Sequence, residues 1–312
     1  MRNDTKQLTE GAILAALYAV LFAISTYVPV LYILVIWFLP LPFIMYTWKY
    51  GRKAGVLFFV LAMILSFFVN PGLFNIPFGF VFGLIGLVVG ELSRKEAKVS
   101  EQILKSTIVS TLALTLFVGI ARFVFELNIF KQLGDEYRTM TEQLINVMKQ
   151  TGQDVTAFEL MMDQYINMLF MLAPMMLISL GATFSILSIV LAKPILKRLG
   201  FDVPKAEPLR LFSLPRFFAI YYAIILFLML FTKPESSLYV FVLNVYYLFM
   251  ILMVIQGVAA LMAFMYKKGL STAAQRFIVV LLFLLIFPIE FVHILGIIDL
   301  AFDLRKRINR KD

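Results

Sequence analysis

Glu290 and His293 stand three residues apart in the stretch FPIEFVHILGIIDLAFDLRKR, residues 287–307, and His293 is the only histidine in the chain. At that spacing two side chains share a helix face. Among Leu, Ile, Val and Phe, such a pair suits proton exchange, because imidazole changes charge near neutral pH and a buried carboxyl tends to keep its proton. It equally suits contact with a polar group on a ligand, or a purely structural bond between helices. Glu-x-x-His also occurs at carboxylate-bridged metal pairs, but those require a second such motif and two more glutamates on facing helices. With one histidine in the chain no metal site is expected, and no other cofactor. Asp299, Asp303 and Arg307 follow at i, i+4 and i+8 and read as an ion-pair ladder at a helix end.

Other polar groups lie at the ends of apolar runs, where their desolvation makes them candidates for function. Arg122 and Glu126 are four apart and can pair on one helix face, while Asn70 and Asn75 flank an Asn-Pro-Gly turn. Together the four are candidate ligand-binding residues of an outward pocket, alongside Glu290 and His293; the alternative is helix-end hydrogen bonding with an arginine reaching for the interface. Asn244 and Gln256 read as bonds between helices. Small residues form two strips. Ala12 and Ala16, with Ala15 and Ala19 offset, make a flat face on the first helix; Gly79, Gly83, Gly86 and Gly90, at i, i+4, i+7 and i+11, predict a tight helix–helix seam.

The elements that position these residues are membrane helices. The 312 residues are 62% hydrophobic and only 15% charged, with a mean hydropathy of +0.92. About nine apolar runs approach or exceed the roughly 18–20 residues that cross a bilayer. Their continuous apolarity selects helices over a barrel. Spans are expected near 10–28, 29–48, 54–70, 73–92, 103–125, 166–192, 213–232, 238–266 and 277–302. The fold class is therefore an all-α polytopic membrane protein of eight or nine transmembrane helices. Pro40 and Pro42 predict a kinked or partly unwound second span.

The net charge of +9 does not point to nucleic acid, because the basic residues cluster in short loops such as 49–53, 94–105, 193–216 and 267–276. That is the positive-inside pattern; it puts the N-terminus in the cytoplasm and favours contact with anionic lipid head groups. No cysteine is present, so disulfides and thiolate metal sites are excluded. The first apolar run lacks a small-residue cleavage site and reads as a retained helix. The last run leaves two topologies. Either it crosses once, against the charge of the RKRINRK tail, or it breaks at Pro288 and returns as a re-entrant hairpin; kinked spans are commoner, so the single crossing is preferred. The acidic segment 126–165 is expected outside, as a helix with Tyr137, Met140, Leu144 and Met148 on one stripe that ends near Thr151 and restarts at Asp154. It reads as a lid over an outward cavity or as a connector on the membrane surface.

The short polar N-terminus, LTEGAILAALYAV, LPLPF and KYGRKAG resemble the substrate-capturing S components of energy-coupling-factor vitamin transporters over residues 8–192. Over nearly its whole length, including NPGLFNIPFGFVFGLIGLVVGEL and GIIDLAFDLRKR, the chain is more similar to the YybS-like membrane proteins of Gram-positive bacteria. The S-component resemblance implies a six-helix part over 1–192; the chain departs from it by the helical insert 126–165, a basic cytoplasmic linker over 193–216, and additional transmembrane helices with a basic tail over 217–312. It also implies a pocket open to the outside, with Ala12, Ala16, Ala15 and Ala19 docking a transmembrane coupling subunit served by ATPases. No Walker motif or nucleotidase constellation is present, so energy would come from those partners. The expectation is a non-enzymatic protein of the bacterial plasma membrane that binds or transports a small molecule. The alternative is a membrane scaffold or regulatory subunit.

Overall fold

A computed structural model describes residues 2–70, 76–151, 154–234, 236–284 and 289–305. The chain divides into two units, Met1–Glu159 with Met176–Ala206, and Leu160–Met175 with Glu207–Asp312. All regular structure among the described residues is helical.

In the first unit, α1 (Arg2–Tyr27) is followed by the short α2 (Pro29–Val35), one 3₁₀ turn over Ile36–Phe38, and α3 (Pro40–Val69). The irregular step sits just ahead of Pro40, which has no N–H to lose at the first turn of a helix. α3 is broken at Gly51, whose φ of +83° is open to glycine and strained for other residues. The break folds α3 back on itself. Phe43 lies 5.2 Å from Phe58 and Tyr46 lies 4.9 Å from Phe58, ring centre to ring centre. In a straight helix residues fifteen apart would be separated by about 22 Å. The two spans expected on either side of residues 49–53 are thus the two arms of α3.

α4 (Ile76–Arg94) lies on the first arm of α3 at backbone distance. A methyl group on Gly86 would come 2.5 Å from Phe43 Cβ and 2.7 Å from the Pro40 carbonyl, and one on Gly90 would come 2.8 Å from the Ile44 carbonyl. Gly79 and Gly83 continue the same face, against Tyr18 and Phe59. The rest of the interior is rich in rings: Tyr18, Phe43 and Phe82 are fully buried, and the Phe184 ring lies tilted, 4.9 Å from that of Phe82. Its buried polar groups are mainly hydroxyls, some of them bonded between helix segments, such as Tyr18 with Ser66 at 2.6 Å. α5 (Val99–Val124) meets α8 (Ala173–Arg198) where the Ser110 hydroxyl donates to the Gly181 carbonyl, 3.0 Å.

α6 (Ile129–Gln150) starts at Asn128, which caps the Lys131 N–H, and ends where the sequence places its stop. The chain re-enters helix at α7 (Thr156–Met171) through Asp154, whose carboxyl is held below its usual range by hydrogen bonds from the Thr156 backbone N–H and hydroxyl. The inward side of α6 carries Gly134, Thr141 and Ile145; Tyr137, Met140 and Leu144 are exposed. Met148, the last residue of the expected stripe, is half-buried.

The second unit is built on α10 (Ser237–Lys267), with α9 (Phe217–Phe231), α11 (Thr272–Leu284) and α12 (Ile289–Phe302). Asn244 bridges the break at Leu172: its amide accepts from the Met175 N–H and donates to the Met171 carbonyl. α10 and α12 cross at Gly257 and Gly296, where a methyl on either residue would overlap a carbonyl oxygen of the other helix, Val292 or Met253. The preferred topology for the last run is corrected here. α11 leaves from the Lys267 end, yet Asp303 and Arg305 line the same cavity as Tyr266 and Lys267. α12 therefore returns to the end from which α11 set out. The physical reason is length: thirteen and fourteen residues make arms of about 20 Å, short of a roughly 30 Å hydrocarbon layer.

Six segments are long and apolar enough to span a membrane, Pro29–Val69 among them as the folded pair, and α9 is a shorter apolar helix. Among the described residues this gives eight apolar passes and a helical hairpin. The chain is an all-α polytopic membrane protein.

Candidate functional site

Within the outward quartet, Arg122 and Glu126 do not share a helix face. α5 stops at Val124, and Glu126 takes a left-handed backbone with φ of 56°, so the helix that would bring it beside Arg122 has already ended. Leu127 closes that end by donating its N–H to the Ala121 carbonyl, 2.8 Å. Arg122 and Glu126 are both exposed, with no ion pair between them. Asn70 ends α3, with its own N–H on the Ser66 carbonyl, and Asn75 lies outside the described residues. The alanine strip is split as well. Ala15 is buried in the aromatic core and Ala19 is half-buried, while Ala12 and Ala16 are exposed between Ile13, Leu17 and Val20.

Glu290 and His293 do come together. The imidazole is 8% exposed, its Nδ1 lies 3.8 Å from the Glu290 carboxylate, and its Nε2 is 2.8 Å from the Tyr222 hydroxyl. Glu290 sits in the first turn of α12, where the helix dipole favours a negative charge, and its side chain is 71% exposed. Tyr222 is held by stacking on Tyr246 and Phe249 of α10. Tyr222 carried no sequence signal, being one of many aromatic residues in apolar runs. Carboxylate, imidazole and phenol thus form a triad in which the phenol–imidazole bond joins α9 to α12 and the carboxylate stands beyond direct hydrogen-bond reach of the ring.

A larger polar assembly lies where α10 and α12 end. Asp299 is 2% exposed and fully engaged: Gln256 Nε2 donates to its Oδ2 at 2.7 Å, and Arg305 reaches the same oxygen through Nε at 2.9 Å and Nη2 at 2.8 Å. Arg305 Nη1 also donates to the carbonyls of Arg210 and Phe212, and Gln256 Oε1 accepts from the Leu214 N–H. One buried carboxylate therefore ties the end of α12 to α10 and to residues 210–214. Of the ladder expected for Asp299, Asp303 and Arg307, Asp299 is engaged by Arg305. Asp303 has a left-handed backbone, φ 50°, that turns the chain so Arg305 folds back onto Asp299; Asp303 itself pairs with Arg216, and Arg307 lies outside the described residues. Gln256 joins helices through hydrogen bonds, as its place in an apolar run suggested.

Beside this network opens a cavity of about 480 Å³, bounded by Arg210, Leu211, Phe264, Tyr266, Lys267 and Arg305 among others. Both of its carboxylates, Asp299 and Asp303, are in ion pairs. Arg210 is different. Its guanidinium lies 3.9 Å from the Tyr266 ring centre, and its backbone carbonyl holds Arg305. The lining therefore carries surplus positive charge on an ordered side chain. No group of three or more His, Asp or Glu residues suited to a metal occurs among the described residues.

The sequence matches the family described as "Predicted membrane protein (DUF2232)" over residues 16–300, and the chain belongs to that family. It is also 28% identical over 311 residues to the Bacillus subtilis (strain 168) protein whose printed name is "Uncharacterized protein YybS", covering 98% of this chain and 99% of the relative. No solved structure matches.

Proposed function

We propose that this member of the DUF2232 family binds an anionic small molecule in the cavity of its second unit, reached from the basic face of the membrane. The observation that carries the reading is the pairing of two neutralised carboxylates with the Arg210 guanidinium at one cavity wall. A volume of about 480 Å³ falls in the range that encloses small ligands. Engaged carboxylates are poor general bases, which supports a binding role rather than an enzymatic one. The basic loops support a plasma-membrane protein with a cytoplasmic N-terminus. The test is a melting-temperature screen of the detergent-solubilised chain against a panel of anionic metabolites and anionic phospholipids. Stabilisation that Arg210→Ala removes supports the reading, and a panel with no Arg210-dependent hit sinks it.

A second reading, S-component-like capture and transport with a coupling subunit and ATPases, is favoured by the exposure of Ala12 and Ala16 on α1. Co-purification from native membranes tests it against the scaffold alternative. Loss of an ATPase-bearing partner in Ala12→Leu/Ala16→Leu would support docking through α1. Recovery of the native protein without such partners would leave transport unsupported and favour a scaffold.

A further inference from the structure

We infer that the cavity of the second unit holds the phosphate group of an anionic membrane lipid, with the apolar chains leaving along its rim; this rests on the reading of that cavity as an anion site.

Three observations converge on this occupant. The first is place. The walls come from residues 210–213 ahead of α9, 263–267 at the end of α10, and 299–305 at and beyond the end of α12. Helix ends rich in Arg and Lys mark the level of the lipid head groups.

The second is the form of the cation. A guanidinium is a planar fork that matches two oxygens of a phosphate. That of Arg210 is ordered by the Tyr266 ring at 3.9 Å rather than by a carboxylate. Asp299 and Asp303, the carboxylates in the lining, are paired with Arg305 and Arg216 and offer little repulsion to an entering anion.

The third is the rim. Leu211 is 63% exposed, Tyr266 55% and Phe264 46%, all bounding the same cavity. A soluble phosphate ester gains nothing from these surfaces. A lipid covers them with its chains, and about 25 cal/mol is gained per Å² of apolar surface removed from water.

The test uses the full chain in mild detergent, titrated by native mass spectrometry with dioleoylphosphatidylglycerol, dioleoylphosphatidylcholine and chain-free glycerol 3-phosphate. The expected result is saturable binding of the phosphatidylglycerol, at least tenfold tighter than the zwitterionic lipid, with no binding of glycerol 3-phosphate at matched concentration. Arg210→Ala weakens it about tenfold and Arg210→Lys, which keeps charge but not the fork, weakens it less. Lys53→Ala, on the first unit, leaves it unchanged. Should Arg210→Ala lower the melting temperature without lipid, Arg210→Lys decides the matter.

Phosphatidylglycerol retained equally by all variants overturns the proposal, because the lipid then binds elsewhere. Arg210-dependent binding of glycerol 3-phosphate in place of the lipid, or of a non-phosphorylated anion alone, also overturns it and leaves the anion-site reading standing. No Arg210-dependent binding of any probe, including the metabolite panel, removes both.

Discussion

The two units solve the problem of a membrane interior in opposite ways. The first fills its centre with rings and closes α4 onto α3 through a glycine face, and its buried polar groups are mainly hydroxyls such as Tyr18 and Ser66. The second buries Asp299, Gln256 and His293 and draws three helices and a loop to them. A hydroxyl can be satisfied by the carbonyl four residues back on its own helix, as Ser66 is on Ala62. A carboxylate cannot, so it imposes long-range contacts. The contrast teaches that the first unit is held mainly by rings, close glycine faces and hydroxyl bonds, whereas the second is organised around a buried carboxylate.

The largest effect expected from a single substitution is at the α10–α12 crossing. Gly296→Ala puts a methyl onto the Met253 carbonyl, and backbone cannot step aside as a side chain can. The expected outcome is loss of monodisperse protein on size exclusion in detergent. Gly83→Ala, in the first unit, meets only side chains, the Phe59 ring at 2.8 Å and the Phe43 ring at 3.2 Å, and should cost about 1–3 kcal/mol as the rings shift. Equal damage from both would show that the two seams are equally rigid and blunt the contrast.

Next comes the buried carboxylate. Arg305→Ala strands Asp299, and breaking one partner of a buried pair costs about 3–5 kcal/mol. The comparison in the first unit is Lys49→Ala. Lys49 pairs with Glu10 at the surface, with side chains 43% and 29% exposed, and its loss should cost about 0–1 kcal/mol. Melting temperatures of the two variants read the difference directly. A small effect at Arg305 would mean that Asp299 is held by Gln256 alone and that the network is not what orders the second unit.

The helical membrane class was legible because about nine apolar runs separated by basic loops leave little else possible. Likewise, the seam of Gly79, Gly83, Gly86 and Gly90 was readable because four small residues recur on one helix face. Gly257 and Gly296 escaped notice because each is a lone glycine in its helix, and the motif exists only where the two meet. Arg305 and Arg210 were hidden for a related reason. They look like ordinary members of basic clusters until the turn at Asp303 brings one back to Asp299 and the 3₁₀ turn at Leu209–Leu211 brings the other over Tyr266. The return of α12 was half visible, in the conflict between a ninth crossing and the tail's charge, but Pro288 alone could not decide between kink and hairpin.

A matched pair of phenols comes third. Tyr18 bonds Ser66 at 2.6 Å in the first unit and Tyr222 bonds His293 at 2.8 Å in the second. If both bonds only hold helices together, Tyr18→Phe and Tyr222→Phe should each cost about 0.6 kcal/mol, the usual worth of such bonds within a bilayer. A growth or binding defect confined to Tyr222→Phe, with normal stability, would make the Glu290–His293–Tyr222 triad part of the function and sharpen the division between the units.

The smallest effect expected is at Arg122 and Glu126, and it is the one best placed to break the comparison. Both are exposed, and the helix that would pair them ends before Glu126. Surface substitutions of this kind usually fall within about 0.5 kcal/mol. Arg122→Ala and Glu126→Ala should therefore leave melting temperature, membrane level and Arg210-dependent binding unchanged. If instead Arg122→Ala abolished ligand binding at normal membrane levels, an outward site would exist in the first unit, formed in a state other than the one seen here. The ring-filled interior would then have to open, and Tyr18→Phe, which loosens α1 from the second arm of α3, should change the same binding. An Arg122 effect without a Tyr18 effect would place the site on the exposed end of α5, outside the aromatic core.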